Sequence, residues 1–232
     1  MKIFRKLIDP AVSFLGCMLA ARKINVDSER TVFVNLGCGL TISPGWINVD
    51  ASLNALLAGS PVMVCKILYK LSGSNRYYSE NEYCSILKNN RFIFHDLARS
   101  LPFNKNTIDF FYTSHFIEHL FLEDARRLLK SCYQSLKDGG VIRIAVPDLA
   151  YAIQQYHQGK KREMLENYFF VNDLHSYLAR HKYMYDFNLL EEELISIGFK
   201  KITRCNFREG VVPGLGDLDN RPDETLFVEA SK

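Results

Sequence analysis

The junction at residues 31–39 constrains this chain most: a β-branched and aromatic run, TVFVNL, stops on Gly37-Cys38-Gly39. Such a run reads as a strand. Two glycines one residue apart let the backbone turn sharply and bring its N–H groups against a ligand. The full G-x-G-x-x-G dinucleotide fingerprint is absent because position 42 is Ile, so a nicotinamide oxidoreductase loses ground here.

From this junction onward, strand-like runs alternate with helical ones. Residues 46–49 (WINV), 91–95 (RFIFH), 108–113 (IDFFYT), 141–146 (VIRIAV), 200–207 and 226–230 (LFVEA) read as six further strands. Residues 123–137 carry Ala125, Leu128, Leu129, Cys132 and Leu136 on one helical stripe, with Asp138-Gly139-Gly140 expected to break the helix. Residues 189–197 (LLEEELISI) predict another helix, stopped by Gly198. The alternation predicts an α/β fold: a Rossmann-like, doubly wound, mostly parallel seven-stranded sheet. With 232 residues and 47% hydrophobic content there is material for one such domain. It is expected over 31–232, preceded by an N-terminal amphipathic segment over 1–30.

Two stretches exceed the minimal alternation, about 52–90 and 148–186. They are expected as inserted helical segments over the C-terminal edge of the sheet, where inserts usually wall a substrate site. Both are rich in aromatics, among them Tyr69, Tyr77, Tyr78, Tyr83, Tyr151, Tyr156, Tyr168, Phe169, Phe170, Tyr177, Tyr183 and Tyr185. For most of these rings, packing of the extra helices is the plainer expectation. The stretch at 208–224, rich in Gly, Pro and Asp, reads as an irregular surface excursion that could cap the site or reach a neighbouring subunit.

Charge and cysteine usage exclude more than they select. A net charge of +3 is short of the clustered basic stripe of a nucleic-acid binder. The six cysteines show no C-x-x-C pair and no His at zinc-ligand spacing, so neither a structural metal nor a disulfide framework is signalled, and a reducing cytoplasm fits. No apolar run spans a bilayer. The basic start and apolar 11–21 stretch loosely copy a signal peptide, but Asp9 and Pro10 interrupt it. An amphipathic helix, with Ile3, Phe4, Leu7 and Ile8 opposite Lys2, Arg5 and Lys6, is the preferred reading. It would pack over the domain or touch the inner membrane face.

The chemistry-bearing residues fall at strand ends. Asp50 closes the second strand, where a carboxylate can accept two ribose hydroxyls, the alternative being a helix cap. Asp96-Leu97 follows the third strand and could hold an adenine through the carboxylate and the next backbone N–H. After the fourth strand, Ser114-His115-Phe116-Ile117-Glu118-His119 concentrates three titratable groups, with His115, Glu118 and His119 as candidate base and orienting partners. The i,i+4 histidines copy an inverted zinc-protease motif only locally, and no metal is expected. Asp148 and His181 are second-rank candidates, and Asp148 also suits a helix cap.

Taken in order, VNLGCG, NVD, HDL with LPF, SHFIEHL and LKDGGVIRIAVPDL resemble class I S-adenosylmethionine-dependent methyltransferases of the methyltransferase 11 type, over roughly residues 32–148. GW-x-N-x-D and the later H-K-x-M-Y-D are similar to small enzymes of surface-polysaccharide and sugar modification. The resemblance implies S-adenosylmethionine as cofactor, with Gly37, Cys38 and Gly39 at its methionine part, Asp50 on the ribose, Asp96 and Leu97 on the adenine, and Ser114 lining the sulfonium region. It implies O-methylation of a sugar or glycan-type acceptor, with another small-molecule or lipid-linked acceptor, or an inactive cofactor-binding domain, as alternatives. Pro44-Gly45 departs from the family by making a long helix between glycine turn and acidic strand improbable.

Overall fold

The computed structural model describes residues 14–169 and 180–232. Seven strands, β1 (Phe33–Leu36), β2 (Ile47–Asp50), β3 (Arg91–Phe94), β4 (Ile108–Ser114), β5 (Leu136–Pro147), β6 (Lys200–Cys205) and β7 (Thr225–Ser231), form one sheet in the order β3-β2-β1-β4-β5-β7-β6. All pairings from β3 to β5 are parallel, and β7 enters antiparallel between β5 and β6. The order reverses beside β1, so the carboxyl ends of β1 and β4 flank the crevice where such sheets bind ligands. The expected fold class is the observed one.

Helices α1 (Leu53–Leu57), α2 (Val62–Ser72) and α3 (Glu80–Asn89) form the crossover from β2 to β3. Helix α4 (Leu122–Ser135) joins β4 to β5, α5 (Leu149–His157) and α6 (Lys161–Met164) follow β5, and α7 (Phe187–Ile197) leads into β6. The Asp186 side chain caps α7, and Gly198 ends it in the left-handed region. No helix forms over 37–46, as Pro44-Gly45 predicts. Helix α4 stops at Ser135 rather than at the glycines: Leu136 already pairs with Ile108, and Asp138-Gly139-Gly140 lies within β5. Sheet pairing outweighs the helical stripe there.

The two faces of the sheet are covered differently. Val34, Leu36, Val49, Phe111, Ile142, Ile144 and Val228 pack under Leu128, Leu129 and Cys132 of α4 and Leu190 and Leu194 of α7. On the other face, Trp46 and Tyr112 meet Val212, Leu215 and Leu218 from the 206–224 connection, which contains the short helix α8 (Leu215–Leu218). That connection is therefore a cover rather than a surface excursion. It is anchored by fully buried Arg143, whose guanidinium donates to Asp219 (2.6 and 3.1 Å), Glu229 (3.3 Å) and the carbonyls of Asn206 and Glu209. A paired and hydrogen-bonded charge of this kind is tolerated inside a core.

Most aromatics of the first insert pack, as expected: Tyr83 is buried with its hydroxyl on Asn54 (2.7 Å), and Tyr69 donates to the Tyr78 carbonyl, while Tyr77 stays exposed. Phe170 and Tyr177, like Ile3, Phe4, Leu7 and Ile8, lie outside the described residues. Residues 14–19 are helical and lie against the end of β3. Ser100 Oγ donates to the Ala20 carbonyl (2.6 Å), and Ile24 N–H to that of Pro102 (2.7 Å). No helix among the described residues is long and apolar enough to cross a membrane.

Candidate active site

The glycine turn takes the conformation its residues permit. Gly37 and Gly39 have φ of 65° and 53°. A Cβ on Gly37 would stand 2.2 Å from the Phe116 ring, so that ring, missed at the sequence level, fixes glycine there. Gly39 N–H donates to Asp50 Oδ2 (2.9 Å), while Oδ1 accepts from Ser52 N–H (2.7 Å). Asp50 is thereby aimed at the turn. It is not the helix cap, because Ser52 occupies that position on α1. The Cys38 side chain is buried, and burial first, then Asp50, pushes its thiol pKa well up, which leaves only backbone to meet a ligand.

At the end of β3, Asp96 closes its own turn, accepting from Ala98 N–H (3.1 Å) and Arg99 Nε (3.0 Å). The Leu97 side chain is buried in the main core, so its free contribution toward the crevice is the backbone. Gly16 of the N-terminal helical stretch touches Asp96: a Cβ there would be 2.9 Å from Asp96 Cβ. His95 beneath it shares a hydrogen bond with Ser100 (2.9 Å), and burial lowers its pKa.

The corner after β4 brings together His115, Glu118 and His119, and adds His181 from the second insert. His115 sits at φ 48°, an unusual conformation for a non-glycine residue and one that turns its ring out of the strand line. Its Nε2 lies 3.0 Å from Thr225 Oγ1, and its Nδ1 faces Glu118 Oε1 at 3.5 Å. His119 Nε2 faces the same oxygen at 3.8 Å, while its Nδ1–H donates to the Arg180 carbonyl (3.3 Å). His181 Nδ1–H donates to the Tyr168 carbonyl (2.6 Å), and its ring meets His119 edge-on with centroids 4.9 Å apart. Burial is the first cause that lowers the His181 pKa, partly offset by Glu118.

Glu118 is completely buried beneath these rings, on a 3-10 turn (Ile117–His119), and neither carboxylate oxygen has a hydrogen-bond partner. The Ser114 and Thr113 hydroxyls and His115 Nδ1 are also buried without partners. The H-K-x-M-Y-D stretch holds the corner closed: Lys182 N–H donates to the Glu118 carbonyl (2.7 Å), and Lys182 Nζ to that of His119 (2.5 Å). Asp148 caps α5 and accepts from Arg204 (2.8 Å), as its helix-cap alternative expects. Thr225 had no sequence signal, because only the insertion of β7 beside β5 brings it to His115. A separate cleft of about 450 Å³, lined among others by Asp27, Arg30, Trp46 and Asn90, opens near the starts of β1 to β3, at the opposite edge from this chemistry.

Residues 70–144 match the family described as a methyltransferase domain, Methyltransf_11. No curated protein matches the chain in sequence. Among solved structures, a possible exported protein from Bordetella parapertussis aligns at TM-score 0.52 and 13% identity, over 96% of this chain and 67% of that one. An S-adenosylmethionine-dependent methyltransferase from Archaeoglobus fulgidus aligns at TM-score 0.48 and 16% identity, over 98% and 94%. A possible histamine N-methyltransferase from Thermotoga maritima aligns at 0.47 and 16%, over 88% and 82%. The methyltransferase-domain match covers residues 70–144 of the 232, and the likeness to the Bordetella parapertussis structure is one of fold.

Proposed function

We propose that the chain transfers the methyl group of S-adenosylmethionine to a hydroxyl of a sugar or glycan-type acceptor. In this reading the backbone of Gly37, Cys38 and Gly39 meets the methionine part, Asp50 holds the ribose, Asp96 and the Leu97 backbone hold the adenine, and Ser114 lines the sulfonium region. The sulfonium is already an activated leaving group, so the protein's main task is alignment of donor and acceptor. A hydroxyl acceptor adds the loss of a proton as the carbon–oxygen bond forms and the carbon–sulfur bond breaks.

The observation that carries the proposal is the His115–Glu118 pair at the end of β4. His115 Nδ1 faces Glu118 Oε1 at 3.5 Å, a polar approach rather than a formed hydrogen bond, and Nε2 is the atom that serves as base, with an acceptor hydroxyl replacing Thr225 as its partner. Glu118 then acts as a positioning residue, and His119 flanks it. Tyrosines of the second insert, such as Tyr151 and Tyr156, suit stacking on sugar faces. The test is transfer of labelled methyl to a panel of sugars, sugar nucleotides and amines. Transfer to hydroxyl acceptors, lost in His115→Ala, supports the proposal, and transfer confined to amines overturns it.

A lipid-linked acceptor is the second reading, favoured by Phe14 and Met18, each 68% exposed on the N-terminal helical stretch. It would place a cytoplasmic protein at the inner membrane face. Deleting residues 1–22 should release the protein from membranes; continued sedimentation with them contradicts this reading.

A further inference from the structure

We propose that Glu118, His119 and His181 bind a first-row divalent transition cation, of the zinc and manganese class, at the acceptor end of the cleft. One ligand atom from each of these three residues lies within 4.8 Å of the other two. Two imidazoles and one carboxylate make a donor set that holds such a cation and leaves a position open.

Three features go beyond proximity. Both Glu118 oxygens are fully buried without a hydrogen-bond partner, a costly arrangement that a cation would relieve. Both imidazoles are tied through Nδ1–H to backbone carbonyls, His119 to Arg180 and His181 to Tyr168. That bond fixes the tautomer and leaves each Nε2 with a free lone pair, the outer support that metal-bound histidines have. The His119 Nε2 to Glu118 Oε1 distance of 3.8 Å is too long for a hydrogen bond. It is close to the edge of a tetrahedron with bonds of about 2.0–2.2 Å, roughly 3.4 Å. Among the described residues, the Lys182 ammonium nearby is held on the His119 carbonyl and over the Phe121 ring.

At the sequence level the i,i+4 pair His115 and His119 copied a metal motif only locally, and no metal was expected. The fold replaces His115 by His181 in this set and leaves His115 beside it. The consequence for chemistry rests on the methyltransferase reading. An acceptor hydroxyl oxygen in the open position is polarised; as its bond to the methyl carbon forms and the carbon–sulfur bond breaks, its proton passes to His115.

Full-length protein stripped with a chelator should be titrated with Co2+, read by its visible absorption, and with Zn2+ and Mn2+ by calorimetry. S-adenosylhomocysteine binding is measured on the same samples. The expected result is one cation per chain, weakened at least tenfold in Glu118→Gln and in His181→Ala and unchanged in His157→Ala, with each variant's fold checked by circular dichroism. No saturable binding, or equal binding in all variants, overturns the cation site. Cation binding without S-adenosylhomocysteine binding upholds the site and overturns the cofactor reading; the reverse overturns the site alone.

Discussion

Asp50 and Glu118 are both carboxylates beside the carboxyl ends of central strands, and their surroundings are opposite. Asp50 accepts two backbone N–H groups, at 2.9 and 2.7 Å. Glu118 is sealed under three imidazoles and accepts none. On the proposed reading, the cofactor half of the cleft is therefore complete as folded, its acid already aimed by the turn beside it. The proposed acceptor half carries a desolvation cost that folding alone does not return, and an unrelieved polar group inside a core calls for an explanation such as an occupant.

A third carboxylate sharpens the contrast. Asp219 is buried like Glu118 but paired with Arg143, so Asp219→Ala should remove about 3–5 kcal/mol of stability by leaving that buried guanidinium with Glu229, at 3.3 Å, as its remaining carboxylate; a change under about 1 kcal/mol in urea melts would show that the network is dispensable. Next in size is Gly37→Ala. The left-handed backbone and the Phe116 ring oppose a methyl group, and a loss of about 1–3 kcal/mol together with cofactor binding is expected. Retained binding would mean that the turn is not the cofactor cradle.

Glu118→Gln goes the other way. In chelator-treated protein it should raise stability by about 1 kcal/mol, because an amide can donate to the neighbouring imidazole nitrogens where the carboxylate accepts nothing. A lowered Tm would break the contrast by revealing that the carboxylate is already satisfied. The smallest effect concerns His95. Its native pKa lies below the ordinary 6.5, so the unfolded chain binds the proton more readily. Stability is then full above pH 6.5 and declines as pH falls toward the lowered native value. The fall in Tm between about pH 7 and about pH 5 should be shallower in His95→Asn than in the wild type.

Legibility in the sequence follows the same division. The strands and the aliphatic face under α4 and α7 were readable because apolar periodicity reports burial on one face. Gly37, Gly39 and Asp50 were readable because a turn and its acid are local, only eleven residues apart in Gly39 and Asp50. Periodicity carried no trace of Arg143, a charged residue at a core position whose partners arrive from the 206–224 connection. It also ran α4 on past Ser135, since a stripe cannot register that Leu136 is claimed by the sheet. At the acceptor corner, His115, Glu118 and His119 were visible as a motif. Their grouping with His181 and Thr225 was not, because it depends on how the second insert and β7 close over β4.

The most direct test of the division is calorimetric titration of S-adenosylhomocysteine into the wild type, Asp50→Ala and Glu118→Gln. The account predicts binding weakened at least about tenfold, some 1.4 kcal/mol, by Asp50→Ala and left unchanged by Glu118→Gln. Equal affinity in wild type and Asp50→Ala, or a loss confined to Glu118→Gln, would contradict it and move the cofactor to the other half of the cleft.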